Sequence, residues 1–259
     1  MPHTSKQIRT AIKRLVIDED HRRRKNEEIA CRMLTDEFAD ADPNFTSLSS
    51  DDIHTLFDHY DELYFGGLLR RETANTPVEF RVSSRMTRAG GKTTSWRLNR
   101  QAPISRLEIA ISSTLLLRTF REAGPQRSIL VTGLECENRL QAMMRVMEHE
   151  IVHLTEILGW GESSCRQDRY QTFAWQTFGH TDHQHALITP REHAASIGVR
   201  VGAQVQFEIE GESMTGIVNR VTKRATILVP STDGVRFSDG NTYRKYYVPV
   251  ESLKPVSSG

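Results

Sequence analysis

Five consecutive residues, His149-Glu150-Ile151-Val152-His153, bring together two imidazoles and a carboxylate of the kind that can hold and use a metal ion. Residues four apart on a helix share a face, so both histidines can reach one ion from the same side. Imidazole is a good ligand for Zn2+, and a hydrolytic zinc site takes three protein ligands and keeps one position for water. Glu150, on the adjoining face, is placed to accept a proton from that water as it attacks a peptide carbonyl polarised by the metal. The implied chemistry is metal-assisted hydrolysis with one Zn2+ as cofactor. The plain alternative is a pair of histidines at the edge of an amphipathic helix.

Two histidines do not complete such a site. The metzincin continuation needs Gly and His where this chain has Glu156 and Gly159, so that class is excluded. Downstream, Gly179-His180-Thr181-Asp182-His183-Gln184-His185 offers three more histidines, and Glu162 or another acid would serve in a thermolysin-like arrangement. Spacing alone does not choose among them. The three cysteines, Cys31, Cys136 and Cys165, form no C-x-x-C pair and read as ordinary thiols of a reducing compartment.

The elements that must position these groups follow from periodicity. From about Glu137 to Leu158 there is no Gly or Pro, and Leu140, Met144, Met147, Ile151, Leu154 and Leu158 recur at helical intervals. The H-E-x-x-H pentad lies inside that helix, with the apolar stripe running past it. A second helix is expected from about Ser163 to Phe178, after the break at Gly159-Trp160-Gly161. Upstream, Ser49 to Tyr64 carries cap residues and then Ile53, Leu56, Phe57, Tyr60 and Leu63, a helix stopped by Gly66-Gly67. Three strands follow, around Val78 to Val82, Thr93 to Leu98 and Leu107 to Ile111.

Residues 1 to about 48 read as a charged accessory segment of two amphipathic helices around His21 to Lys25. The run Arg22-Arg23-Arg24-Lys25 is hedged by acids and suits a solvated helix face better than a phosphate site. Past Pro190 the pattern changes to short alternating strands, including Val205 to Ile209 and Tyr246 to Val248, which predicts a separate small all-β barrel over 196–259 with a Ser257-Ser258-Gly259 tail. In it, Lys223-Arg224 and Tyr243-Arg244-Lys245-Tyr246-Tyr247 interleave cations with rings, as a nucleic-acid platform does and as any half-buried strand can.

A formal net charge of +1 excludes a polycation that coats nucleic acid, so any such contact must be local. No apolar run approaches the length of a membrane span and the N-terminus lacks a signal-like core, which predicts a cytoplasmic protein with no membrane partner.

Over roughly residues 51–190 the chain resembles the SprT-like metallopeptidase family, whose Spartan branch cleaves proteins crosslinked to DNA. The features that carry the resemblance are, in order, Phe57-Asp58-His59-Tyr60-Asp61-Glu62-Leu63-Tyr64-Phe65-Gly66-Gly67-Leu68, the strand leading into Ser84-Arg85-Met86-Thr87-Arg88-Ala89-Gly90, the H-E-x-x-H helix and a later Gly-His. The resemblance implies an α+β fold with a zincin-like metallopeptidase domain over 49–195; the small SH3-like barrel read from the strand pattern after it stands in place of the family's own C-terminal features. The resemblance also implies His180 as the third ligand beside His149 and His153, and Glu150 as general base of a zinc endopeptidase. DNA-associated or DNA-crosslinked protein becomes the substrate class; DNA as a partner of the barrel rests instead on the barrel's own basic and aromatic residues, beside which the plain half-buried strand stands slightly ahead. Thr181 stands where the family has a small residue, and no terminal zinc ribbon is present. A structural-zinc binding module and a zinc hydrolase of non-peptide bonds are the competing expectations.

Overall fold

The computed structural model describes residues 5–36, 42–99, 101–122 and 129–256; the Ser257-Ser258-Gly259 tail lies outside them. The chain is mixed α and β and divides into two compact units, Met1–Leu187 and Ile188–Gly259.

The first unit opens with α1 (Lys6–Arg14) and α2 (Glu19–Asp36). The charged stretch from His21 falls inside α2 and is spent internally: Lys25 Nζ donates to the Leu63 carbonyl and Arg23 pairs with Asp20 and Glu27. Ile8, Ile12, Ile29 and Met33 of these helices are buried in the same core as the rest of the unit. Next, α3 (Ser50–Phe65) starts at a reciprocal Ser49–Asp52 capping box and stops at Gly66 in the left-handed region, φ 59°. The short α4 (Leu68–Glu72) follows, with Leu69 and Arg70 backbone N–H groups donating to the buried Asp61 carboxylate.

Strands β1 (Val78–Ser83), β2 (Gly91–Trp96) and β3 (Arg106–Ser112) form a sheet of order β1-β3-β2. The central β3 runs parallel to β1 and antiparallel to β2, which leaves β2 as an edge strand. Helix α5 (Ser113–Glu122) leads to a hairpin of β4 (Ile129–Val131) and β5 (Leu134–Cys136). The long α6 (Arg139–Trp160) is capped by Asn138 and ends at Gly161, φ 82°. Its apolar stripe packs on α3 and the sheet, and Met147, Ile151 and Leu154 are fully buried. The last helix of the unit, α7 (Asp168–Phe178), begins five residues later than the periodicity predicts, because residues 163–167 turn toward α6 instead.

In the second unit α8 (Pro190–Ser196) precedes β6 (Gln204–Ile209), β7 (Glu212–Val221), β8 (Ala225–Arg236), β9 (Thr242–Val248) and β10 (Lys254–Pro255). The strands make one antiparallel sheet of order β10-β6-β7-β8-β9 over a core of Val205, Phe207, Val218, Ile227 and Val248. Among the described residues no helix is long and apolar enough to cross a membrane.

Candidate metal centre

Helix α6 presents His149 and His153 one turn apart, with their Nε2 atoms 3.1 Å from each other. The polar turn between α6 and α7 adds Cys165. Ligand atoms of His149, His153 and Cys165 all lie within 4.8 Å of one another, the one such cluster among the described residues.

The hydrogen bonds around His153 settle its tautomer. Ser163 Oγ donates to Glu156 Oε2 (2.6 Å) and so accepts from His153 Nδ1 (2.7 Å), which leaves Nε2 as a bare lone pair aimed at His149. Glu156 is fully buried and is itself gripped by Arg169 Nε at 2.6 Å. Burial pushes the His149 imidazole well below its ordinary value and His153 down to about 4, so both are neutral near pH 7. Tyr170 braces the pair, its hydroxyl donating to the His149 carbonyl at 3.0 Å and its ring tilted against both imidazoles.

These donors fit zinc. Two imidazole nitrogens bound tetrahedrally to zinc stand about 3.3 Å apart, close to the 3.1 Å found here. A thiol completes the Cys-His-His set that zinc accepts, and the ordered chain from His153 through Ser163 and Glu156 to Arg169 is the outer support that metal-binding histidines require.

Glu150 faces a cleft of about 300 Å3 that His149 also lines. Thr93 Oγ1 of β2 lies 2.8 Å from its Oε2 and 3.0 Å from its backbone oxygen. Burial raises the carboxyl, Thr93 pulls it back, and the balance leaves it at about 7. Strand β2 approaches so closely that a Cβ on Gly91 would stand 2.5 Å from Glu150 Oε1. The bare backbone at this position is what admits the carboxylate.

His180 is not brought to the pair on α6. It is buried against the neighbouring Glu148, with Nε2 2.8 Å from Glu148 Oε2. The same carboxylate accepts from Tyr60 Oη (2.8 Å) and Arg145 Nη1 (2.7 Å), tying α3, α6 and the chain after α7 together. Burial works against the Glu148 charge, but Arg145 and His180 outweigh it and hold the carboxyl below its ordinary value. His183 and His185 both reach the Glu150 cleft. His185 Nε2 accepts the Gly90 N–H at 3.0 Å, fixing the turn that leads into β2.

Cys165 is the site residue that sequence reasoning missed. A cysteine in an aperiodic turn carries no spacing signal. The cue within reach was its position in a polar turn, Glu162-Ser163-Ser164-Cys165, directly after the helix that bears both histidines. No protein-family model matches the chain, and no curated protein or solved structure matches it.

Proposed function

We propose that the first unit is a zinc-dependent endopeptidase of the SprT-like, zincin-like kind, with the ion held by His149, His153 and Cys165. The observation that supports it best is the convergence of the His149, His153 and Cys165 ligand atoms, with His149 and the buried Glu150 carboxyl lining one open cleft. Cys165 takes the place that the family resemblance gives to His180. Zinc bound there supplies a Lewis acid for the carbonyl and lowers the pKa of water.

The chain's own residues supply the proton handling and the positioning. Glu150 takes a proton from water as the water oxygen bonds to the carbonyl carbon. The same proton passes to the amide nitrogen as the C–N bond breaks, leaving a carboxylate and an amine. Held by Thr93 Oγ1 beside His149, the carboxyl is positioned for both halves of this shuttle. An edge strand such as β2 offers unpaired backbone groups along which an extended peptide can lie.

DNA-associated protein remains the proposed substrate class, and the second unit offers a face for the nucleic acid. Tyr243 and Tyr246 turn inward and Arg244 pairs with Asp233, so the sequence cluster is thinner than its composition suggests. Lys245 and Tyr247 stay exposed two residues apart on β9, and the register places Arg220 and Thr226 in the same row as Tyr247. An exposed ring flanked by cations suits single-stranded nucleic acid.

Cleavage of casein or histone by the wild type and by Glu150→Gln, with and without single-stranded DNA, tests this function. Loss of cleavage in Glu150→Gln with zinc retained supports it. Identical behaviour of the two proteins would discard catalysis in favour of a zinc-stabilised binding module, and cleavage of small amides alone would move the activity to another bond.

A further inference from the structure

The metal ligands and Glu150 leave one part of amide hydrolysis without a residue: a donor for the negative charge that gathers on the carbonyl oxygen as water adds. We propose that His183 is that donor, a catalytic residue oriented by Asp182. This rests on the peptidase reading of the same cleft.

The segment that carries His183 is built as a fixed wall. Thr132, between β4 and β5, accepts the Thr181 and Asp182 N–H groups on one carbonyl, each at 3.1 Å, and donates its own N–H to the Gln184 carbonyl at 2.8 Å. Val131 pairs with His185 in an antiparallel bridge. Asp182 Oδ1 accepts the backbone N–H of His183 (2.6 Å) and of Gln184 (3.2 Å). Residues 181–186 thus dock on the hairpin through these bonds and one bridge. His183 and His185 both line the cleft that holds His149 and Glu150.

Thr132 pays for this arrangement with backbone strain. It is buried and β-branched, yet sits at φ 55°. A side chain of that type is rarely found in the left-handed region, and such outliers gather where the surrounding structure fixes a functional group. Gly133 beside it has no room for a side chain, since a Cβ would fall on Thr181.

Among the cleft histidines His183 is the one free to meet a substrate. His185 Nε2 already holds the Gly90 N–H. His183 Nδ1 lies 3.5 Å from Asp182 Oδ1, so its Nε2 is the nitrogen left for the cleft. A hydrogen carried on Nε2 is then the one placed to meet an oxygen in the cleft. His183 gives a hydrogen bond and keeps its proton; Glu150 alone moves one.

The test uses the full chain with zinc loaded, comparing wild type, His183→Ala, His183→Gln and Arg88→Ala, Arg88 being a cation that lines the same cleft. The account expects His183→Ala to keep its zinc and its KM and to lose roughly 100–1000-fold in kcat, the usual effect of removing one such donor. Affinity for a phosphinic peptide, whose tetrahedral P–O⁻ resembles the adduct, should fall in parallel, with His183→Gln recovering part of both. Unchanged kcat and inhibitor affinity in His183→Ala, or a loss confined to Arg88→Ala, overturns the assignment and leaves the peptidase reading standing. A wild type that binds no zinc overturns both.

Discussion

Ser163 Oγ lies 2.7 Å from His153 Nδ1 and gives its own proton to Glu156, so a hydroxyl ten residues away dictates which nitrogen of His153 is left for a metal. Removing that hydroxyl frees the ring to flip or change tautomer. Ser163→Ala should retain its fold, since Ser163 is only half-buried in a turn, while its zinc affinity falls by about 10–100-fold, the usual penalty for losing an outer partner of a metal-binding histidine. Competition with a chromogenic chelator measures it.

Gly91 is the position where β2 and α6 nearly touch. In Gly91→Ala the new methyl meets Glu150 Oε1 and Cγ and Val146 Cγ1 within 2.8 Å, so the carboxylate or the strand must move. Overpacking of this kind destabilises by about 1–3 kcal/mol. Cleavage should fall further than stability and zinc content do, because the displaced group is the proposed base. Denaturant unfolding alongside kcat separates the two.

Glu148 makes the fold sensitive to acid. Its folded-state pKa is lowered, so its contribution is complete above the ordinary carboxylate value of 4.5 and is lost as pH falls through the lower folded value. Burial also lowers His180 from 6.5, and its protonation opposes folding in the same direction. Glu148→Gln leaves Arg145 buried without its partner, which should cost about 3–5 kcal/mol near neutral pH. From pH 4.5 downward, where the wild type loses the Glu148 contribution, stability of the variant should fall less steeply than that of the wild type. Thermal unfolding across that range reads the difference.

Much of the frame was legible in the sequence because its signals are local. Helix α6 announces itself through an unbroken stripe and α3 through its Ser49 cap and Gly66 stop. β1 alternates as a half-buried strand does, while β3, whose apolar residues alternate in the sequence, is buried on both faces as the central strand. What escaped has no period. β4 and β5 are three residues each, too short to alternate, and their turn uses Thr132 in a conformation its side chain disfavours. Cys165 lies in the turn that the periodicity would assign to α7. His180 is buried with a carboxylate on a neighbouring α6 position, a long-range pairing that no spacing reveals. In the second unit the plain-strand reading of Tyr243 to Tyr247 holds in that core and surface share the cluster, but an irregularity in the pairing opposite Tyr243 breaks simple alternation, a long-range feature the string does not carry.

That division yields a prediction for nucleic acid. Tyr247→Ala should weaken binding of single-stranded DNA through lost stacking, and Lys245→Ala should weaken it while flattening its salt dependence by roughly one ion. Arg244→Ala, already paired with Asp233, should do neither to the same degree. Fluorescence anisotropy at two salt concentrations checks all three.

The most direct test of the account is zinc per chain by elemental analysis in the wild type, His149→Ala, Cys165→Ala and His180→Ala. The account predicts about one zinc in the wild type, loss in His149→Ala and Cys165→Ala, and retention in His180→Ala once any loss of stability is allowed for by measuring only folded protein. Retention in Cys165→Ala with loss in His180→Ala would contradict the ligand set and return the third place to His180; no zinc in the wild type would contradict the metal centre itself.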